Sequence, residues 1–180
     1  MTRRAVTFEV NGEAVTVDVE PRMLLSDVLR HEVAITGTHV GCEQGSCGAC
    51  TVIVDGNPVR SCLMLAPQAE GTVIETIESV ADGDEMDPVQ QALHAEHGLQ
   101  CGFCTPGIVM SLVAARRAGS DAAAACDEVL GGHLCRCTGY VNIRRAVHRA
   151  WEDLPREHDP TVGRSAQGGG SLPVEGGEAS

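Results

Sequence analysis

Eight of the nine cysteines in this chain fall into two groups of four, and their spacing constrains the fold more than any hydrophobic pattern does. Cys42, Cys47 and Cys50 follow C-x4-C-x2-C, and Cys62 comes after eleven more residues. Three ligands on one loop and a fourth from farther along is the plant-type spacing for a [2Fe–2S] cluster. The residues between them suit that use, because Gly41, Gly45 and Gly48 let the loop turn sharply and bring its amides close to sulfur. Zinc held by four cysteines is the competing reading. It normally takes two short C-x2-4-C knuckles, which this loop does not offer.

The second group is Cys101 and Cys104 (C-x2-C), followed after thirty residues by Cys135 and Cys137 (C-x-C). Each pair precedes a helix start, where the partial positive charge of the helix end favours thiolate. Taken alone, this set accommodates zinc as well as iron–sulfur. A thioredoxin-like pair is disfavoured, since no βαβ pattern surrounds Cys101 and Cys104. His133, two residues before Cys135, has the chemistry to replace a thiolate as in a Rieske centre. With four cysteines available it reads as an ordinary surface or capping histidine. Cys126 is left over and reads as a small buried hydrophobe.

Composition agrees with a stapled protein. Phe8, Phe103, Tyr140 and Trp151 are the only aromatic residues among 180, so two cores of about 70 residues each are thin by area burial alone. Net charge is −12, and all 13 basic residues are arginine. That balance excludes a nucleic-acid or anionic-membrane footprint. Arg144, Arg145 and Arg149 form either a local contact cluster or a solvated helix face. Residues 1–10 carry no apolar run of signal-peptide length and no later stretch is long enough to span a membrane. A cytoplasmic location is therefore expected, where thiols stay reduced and nine cysteines serve as metal ligands rather than disulfides.

Pattern places an α+β architecture around these sites. Val6, Phe8 and Val10 alternate with polar residues, as do Val15, Val17 and Val19, and Asn11-Gly12 between them predicts a hairpin. Pro21 ends the second strand, and Leu24, Leu25, Val28 and Leu29 recur at helical spacing. A second hairpin is expected from strands over 51–54 and 59–63 around Asp55-Gly56-Asn57-Pro58, and a last strand over 72–77. Residues 79–87 are acidic and read as a linker between a domain at 1–78 and one at 88–155. In the second domain Asp87-Pro88 and Thr105-Pro106 signal helix starts. A third helix holds Ala122, Ala125, Cys126, Val129 and Leu130. A fourth, capped by Asn142, carries Ile143, Ala146, Val147, Ala150, Trp151 and Leu154 on one stripe. Residues 156–180 are rich in Gly, Pro and Ser and read as a flexible tail.

Residues 41–52 (GCEQGSCGACTV), 100–107 (QCGFCTPG) and 134–140 (LCRCTGY) together resemble the iron–sulfur subunit of molybdenum hydroxylases. That family includes xanthine, aerobic carbon monoxide, nicotine, caffeine and quinoline dehydrogenases. The resemblance spans about residues 3–155. It implies an N-terminal β-grasp ferredoxin domain and a C-terminal four-helix domain, each with a [2Fe–2S] cluster. Cys42, Cys47, Cys50 and Cys62 would hold the FAD-proximal cluster, and Cys101, Cys104, Cys135 and Cys137 the molybdenum-proximal one. Gln100 and Cys137 would contact the pterin. The implied partners are a large molybdopterin-binding subunit and a medium FAD-binding subunit, in a dimer of heterotrimers. Electrons would run from the molybdenum–pterin through both clusters to FAD, with no substrate chemistry in this chain. Residues 43–46 resemble the loop of the heterocycle- and purine-oxidising members more than that of carbon monoxide dehydrogenase. The alternatives are a free-standing two-cluster ferredoxin and a zinc-stapled interaction module.

Overall fold

The computed structural model describes residues 2–152, so the predicted tail and Leu154 lie outside the described residues. Strand β1 (Arg4–Val10) and β2 (Glu13–Val19) pair antiparallel from Arg4↔Val19 to Val10↔Glu13. Asn11 and Gly12 turn between them with φ of 51° and 85°, the left-handed pair that a two-residue hairpin needs. β5 (Val73–Glu75) runs parallel to β1, and β3 (Thr51–Val54) lies antiparallel to β5. β4 (Asn57–Arg60) closes the sheet, whose order is β2-β1-β5-β3-β4. The second turn is Asp55-Gly56 alone, so Asn57 and Pro58 already belong to β4. Proline is tolerated there because β4 is an edge strand and needs no outer donor. The segment α1 makes one α-helical turn (Leu25–Asp27) and continues as a π-helix (Val28–Glu32), burying Leu25, Val28 and Leu29 under the sheet.

Two strands end earlier than their patterns predict. β4 stops at Arg60 and a 3-10 turn (Ser61–Leu63) follows, so Cys62 sits in that turn rather than in a strand. Ser61 donates from both its amide (3.3 Å) and its hydroxyl (2.7 Å) to the Cys50 carbonyl, which pulls the chain onto the first cysteine loop. β5 stops at Glu75 because Thr76 exchanges hydrogen bonds with the Asn11 side chain, at 2.9 Å each way, instead of continuing the ladder.

The second half is four helices. α2 (Pro88–Ala95) starts as predicted, with the Asp87 carboxylate accepting from the Val89 amide at 2.7 Å and Gln90 returning to the Asp87 amide. α3 (Thr105–Arg117) has Pro106 in its first turn, but Cys104 occupies the cap position. α4 (Ala122–Gly131) is capped by Asp121, and α5 (Tyr140–Glu152) completes the bundle. Asn142 is not the cap of α5. The helix begins two residues earlier, and the Asn142 amide donates to the His97 carbonyl at 3.2 Å. Ile143, Ala146, Val147 and Ala150 form the buried stripe, and the Trp151 indole N–H donates to Ser120 O at 2.7 Å.

The halves meet on β3. Val52 and Val54 point into the ferredoxin-side core, whereas Ile53, 1% exposed, belongs to the core of the helices. With both faces covered, TVIV is buried at every position, which is why it reads as a continuous apolar run and not as an alternation. Arg117 of α3 adds a forked ion pair to Glu75 of β5, 2.8 Å to each oxygen. No helix among the described residues is long and apolar enough to cross a membrane.

Candidate metal centres

The first loop curls because Glu43, Gly45 and Gly48 adopt left-handed φ of 54°, 77° and 78°. It aims its amides at sulfur, with the Cys47 N–H donating to Cys42 Sγ at 3.3 Å. The Gln44 amide, and then that of Cys47, hold the Cys42 thiol down at about 7. Cys62 approaches from the 3-10 turn beside Cys50. Burial, and then the Cys50 thiol, push Cys62 up to about 11, while the Gly45 amide acts against them. The sulfurs therefore pair as Cys42 with Cys47 and Cys50 with Cys62.

The second set repeats this on a helical frame. Cys104 caps α3, while Cys135 and Cys137 sit in the turn before α5. Cys101 lies at the exposed rim, where the Phe103 amide and then the Cys137 thiol lower its pKa. Cys104 lies deeper, pushed up to about 12 by burial and then by Cys135. Gly139 N–H donates to Cys135 Sγ at 3.3 Å, and the Cys135 amide donates to the Tyr140 hydroxyl at 2.8 Å. The pairs are Cys101 with Cys137 and Cys104 with Cys135. Gln100 is exposed, and its amide nitrogen rests against Gly139 at this same rim.

Both sets fit a [2Fe–2S] cluster by their chemistry. Each offers four soft sulfur donors arranged as two pairs, the arrangement for two irons with two cysteines each. Amides directed at sulfur favour the reduced cluster and raise its potential. The buried thiols must lose their protons to bind iron, so metal affinity and proton release are coupled.

The two loops touch. Leu134, the residue before Cys135, donates its amide to the carbonyl of Cys47 at 3.0 Å. The His39 ring stacks on Phe103 with centroids 5.0 Å apart, and its Nδ1 lies 2.9 Å from the Phe103 carbonyl. Gly107, in the first turn of α3, lies directly against the Gly48 carbonyl and the Ala49 backbone.

His133 corrects the sequence reading. It is not a surface residue but is 2% exposed between the two halves, and of the two expected roles only the capping one holds, at the C-terminal turn of α4. Its Nδ1 pairs with the Val129 carbonyl at 2.7 Å, so Nδ1 carries the proton. Nε2 faces Ser111 Oγ at 3.2 Å, Thr51 Oγ1 at 3.4 Å and Arg60 Nη1 at 3.4 Å. Burial holds its pKa below the ordinary value, and Arg60 adds to that. Arg60 also bonds Thr51 Oγ1 and reaches Gly132 O at 2.6 Å. Sequence reasoning missed Arg60, Thr51 and Ser111 as well. The available signal was hairpin arithmetic: a two-residue turn at Asp55-Gly56 pairs Thr51 with Arg60.

Cys126 is the small buried residue that its position suggested, 1% exposed in the helical core with its thiol 4.0 Å from the Arg144 carbonyl. Cys126→Ala is expected to keep both iron sites, at a stability cost of about 1 kcal/mol for the lost packing. Iron content and thermal unfolding check this, and loss of iron refutes it. Of the arginine group, Arg144 pairs with Asp127 at 2.7 Å and Arg149 with Glu96 at 2.9 Å, as on a solvated helix face.

Comparison with known proteins agrees with the geometry. Residues 8–78 match the family model described as a 2Fe-2S iron-sulfur cluster binding domain, and residues 76–148 match a [2Fe-2S] binding domain. The chain is 51% identical over 151 residues to caffeine dehydrogenase subunit gamma of Pseudomonas sp. (strain CBB1), covering 82% of this chain and 90% of that one. It is 48% identical over 145 residues to the 6-hydroxypseudooxynicotine dehydrogenase complex subunit beta of Paenarthrobacter nicotinovorans, covering 79% and 90%. Its fold superposes on the crystal structure of quinoline 2-oxidoreductase from Pseudomonas putida 86 with a TM-score of 0.79 and 42% identity, over 84% of this chain and 96% of that one. With paired four-cysteine sites in both halves and relatives of this identity over most of their length, the chain belongs to the iron–sulfur subunits of the molybdenum hydroxylase family.

Proposed function

We propose that this chain is the electron-transfer subunit of a molybdenum hydroxylase, placed between a molybdenum–pterin subunit and an FAD subunit. Cys42, Cys47, Cys50 and Cys62 hold the FAD-proximal cluster. Cys101, Cys104, Cys135 and Cys137 hold the molybdenum-proximal cluster, and Gln100 and Cys137 contact the pterin. When bound, each cluster supplies a one-electron site. The carrying observation is the Leu134 amide on the Cys47 carbonyl. It joins the backbones of the two cysteine sets through one hydrogen bond, a short through-bond path of the kind a relay uses.

The surface supports two partners. Leu99, Phe103, Leu134 and Val141 are exposed around the Cys101–Cys137 rim, and Leu63 and Leu65 are exposed beside Cys62. Exposed apolar residues concentrated at both cysteine sites suit docking rather than a lone shuttle in solvent. The large molybdopterin subunit is assigned to the first rim and the medium FAD subunit to the second, in a dimer of heterotrimers in the cytoplasm. The domains follow as 1–78 and 88–155, with 79–87 as linker and 156–180 as tail. The two family models meet at residues 76–78, which supports a boundary between the halves there.

Reduction of the native complex is expected to give two distinct electron paramagnetic resonance signals from this chain, in material that co-purifies with molybdenum and flavin. One signal, or a lone chain on gel filtration carrying neither partner, overturns the proposal.

A further inference from the structure

The contact between the two cysteine loops is held by something other than side-chain burial. Leu134 donates the bridging amide, yet its own side chain is 60% exposed and anchors nothing. The segment is gripped from both sides by polar groups. From the sheet, Arg60 donates to the carbonyl of Gly132 at 2.6 Å and bonds the Thr51 hydroxyl, which itself donates to the Gly48 carbonyl at 2.6 Å. From the helices, His133 bonds Val129 through Nδ1, and Tyr140 donates to the His133 carbonyl at 3.1 Å. The His133 ring also lies against Gly48, the residue after Cys47. A Cβ at Gly48 would overlap that ring and come within 2.8 Å of the Gly132 carbonyl. One buried imidazole thus touches both loops and precedes the amide that connects them.

The geometry points to His133, with Arg60 and Thr51, as the positioning group that holds the Leu134 amide on the Cys47 carbonyl and so sets the electronic coupling between the two cysteine sites. An electron passing from the Cys101–Cys137 site to the Cys42–Cys62 site oxidises the first and reduces the second, with no bond made and no proton moved. Its rate depends on the medium between the sites. A hydrogen-bonded backbone link conducts far better than a gap of the same length, and coupling falls exponentially as that gap widens. Burial alone would make His133 replaceable by any side chain of similar volume. The network makes the opposite demand, because only a side chain with a donor toward Val129 and an acceptor toward Ser111 satisfies both ends.

The inference rests on the relay reading, and the test separates the two. His133→Leu keeps the volume beside Gly48 and removes both polar links, while Thr51→Val removes only the hydroxyl between Arg60 and His133. Both are introduced into the complete complex. In His133→Leu we expect both cluster signals to persist, amide hydrogen exchange over residues 132–135 to rise, and the dipolar splitting between the two reduced clusters to change. Intercluster transfer should slow, because coupling falls exponentially as the gap widens. Thr51→Val should shift the same readouts in the same direction by less. Both signals present with exchange, splitting and transfer unchanged in His133→Leu overturn the positioning role and leave the relay reading standing. Should His133→Leu lose a signal, Thr51→Val decides by the same readouts. Loss of a signal in both variants makes the network a folding element and overturns the inference too. Absence of two signals in the unsubstituted complex would instead count against the relay itself.

Discussion

Replacing Cys104 by serine in the native complex should remove the helical-domain cluster and leave the other intact, lowering the iron content from about four atoms per chain to about two. The site explains the size of the effect. Burial and the neighbouring Cys135 already push the Cys104 thiol up to about 12, so a serine hydroxyl, far harder to ionise, supplies no anionic ligand there. Cysteine binds because iron displaces its proton, and that binding energy is also folding energy for the turn around it. Cys101→Ser should be milder. That position is exposed, and the Phe103 amide stabilises an anion at it, so a labile cluster is expected to survive in part. In the complex, Cys104→Ser should leave the flavin oxidised while substrate still reduces the molybdenum site. Iron quantification with paramagnetic resonance on reduction is the direct check, and two undiminished signals in Cys104→Ser would show the ligand assignment to be wrong.

Gly107→Ala should destabilise the chain by about 3 kcal/mol or more, the upper range for overpacking. Helix propensity alone gives the opposite sign, since alanine is favoured over glycine inside a helix by about 1 kcal/mol. Packing decides. A Cβ at Gly107 would overlap the Gly48 carbonyl oxygen and stand 3.0 Å from both Cα and O of Ala49. Neither side has room to yield. The Gly48 carbonyl is pinned by the Thr51 amide at 3.1 Å and its hydroxyl at 2.6 Å, and Ile108 and Val109 fix α3 in the helical core. Relief requires α3 to back away from the first cysteine loop and to open the seam at Ile53. A drop in melting temperature of roughly 10 °C follows from the usual relation for a chain of this size. Gly56→Ala is the control: Gly56 has φ of 79° but nothing within 4 Å of a Cβ. It should cost only its backbone strain, about 1 kcal/mol. Equal losses in the two variants would show that the overlap at Gly107 is not what matters.

Local chemistry was legible wherever neighbouring residues decide it. Asn11-Gly12 and Asp87-Pro88 produced their hairpin and helix start because a left-handed turn and a carboxylate cap each involve only a few adjacent residues. Cap placement failed at Asn142. There the helix start follows the turn after Cys135, where Gly139 donates to sulfur, and that constraint outranks a good capping side chain two residues later. The end of β4 was misjudged for a similar reason: Ser61 bonds the Cys50 carbonyl, a partner eleven residues away. The burial of His133 is not legible in the sequence because its partners lie on β3, β4, α3 and α4, and no spacing along the chain brings those elements to one point.

The sequence by itself determined the two four-cysteine sets and most of the hairpins and helices that carry them, since ligand spacing and turn chemistry are properties of the chain. Only the tertiary structure decided which sulfurs pair, that Ile53 of the sheet belongs to the core of the helices, and that His133 and Gly107 sit where the two loops meet. Those facts depend on which surfaces face each other, and packing of elements far apart in the chain sets that.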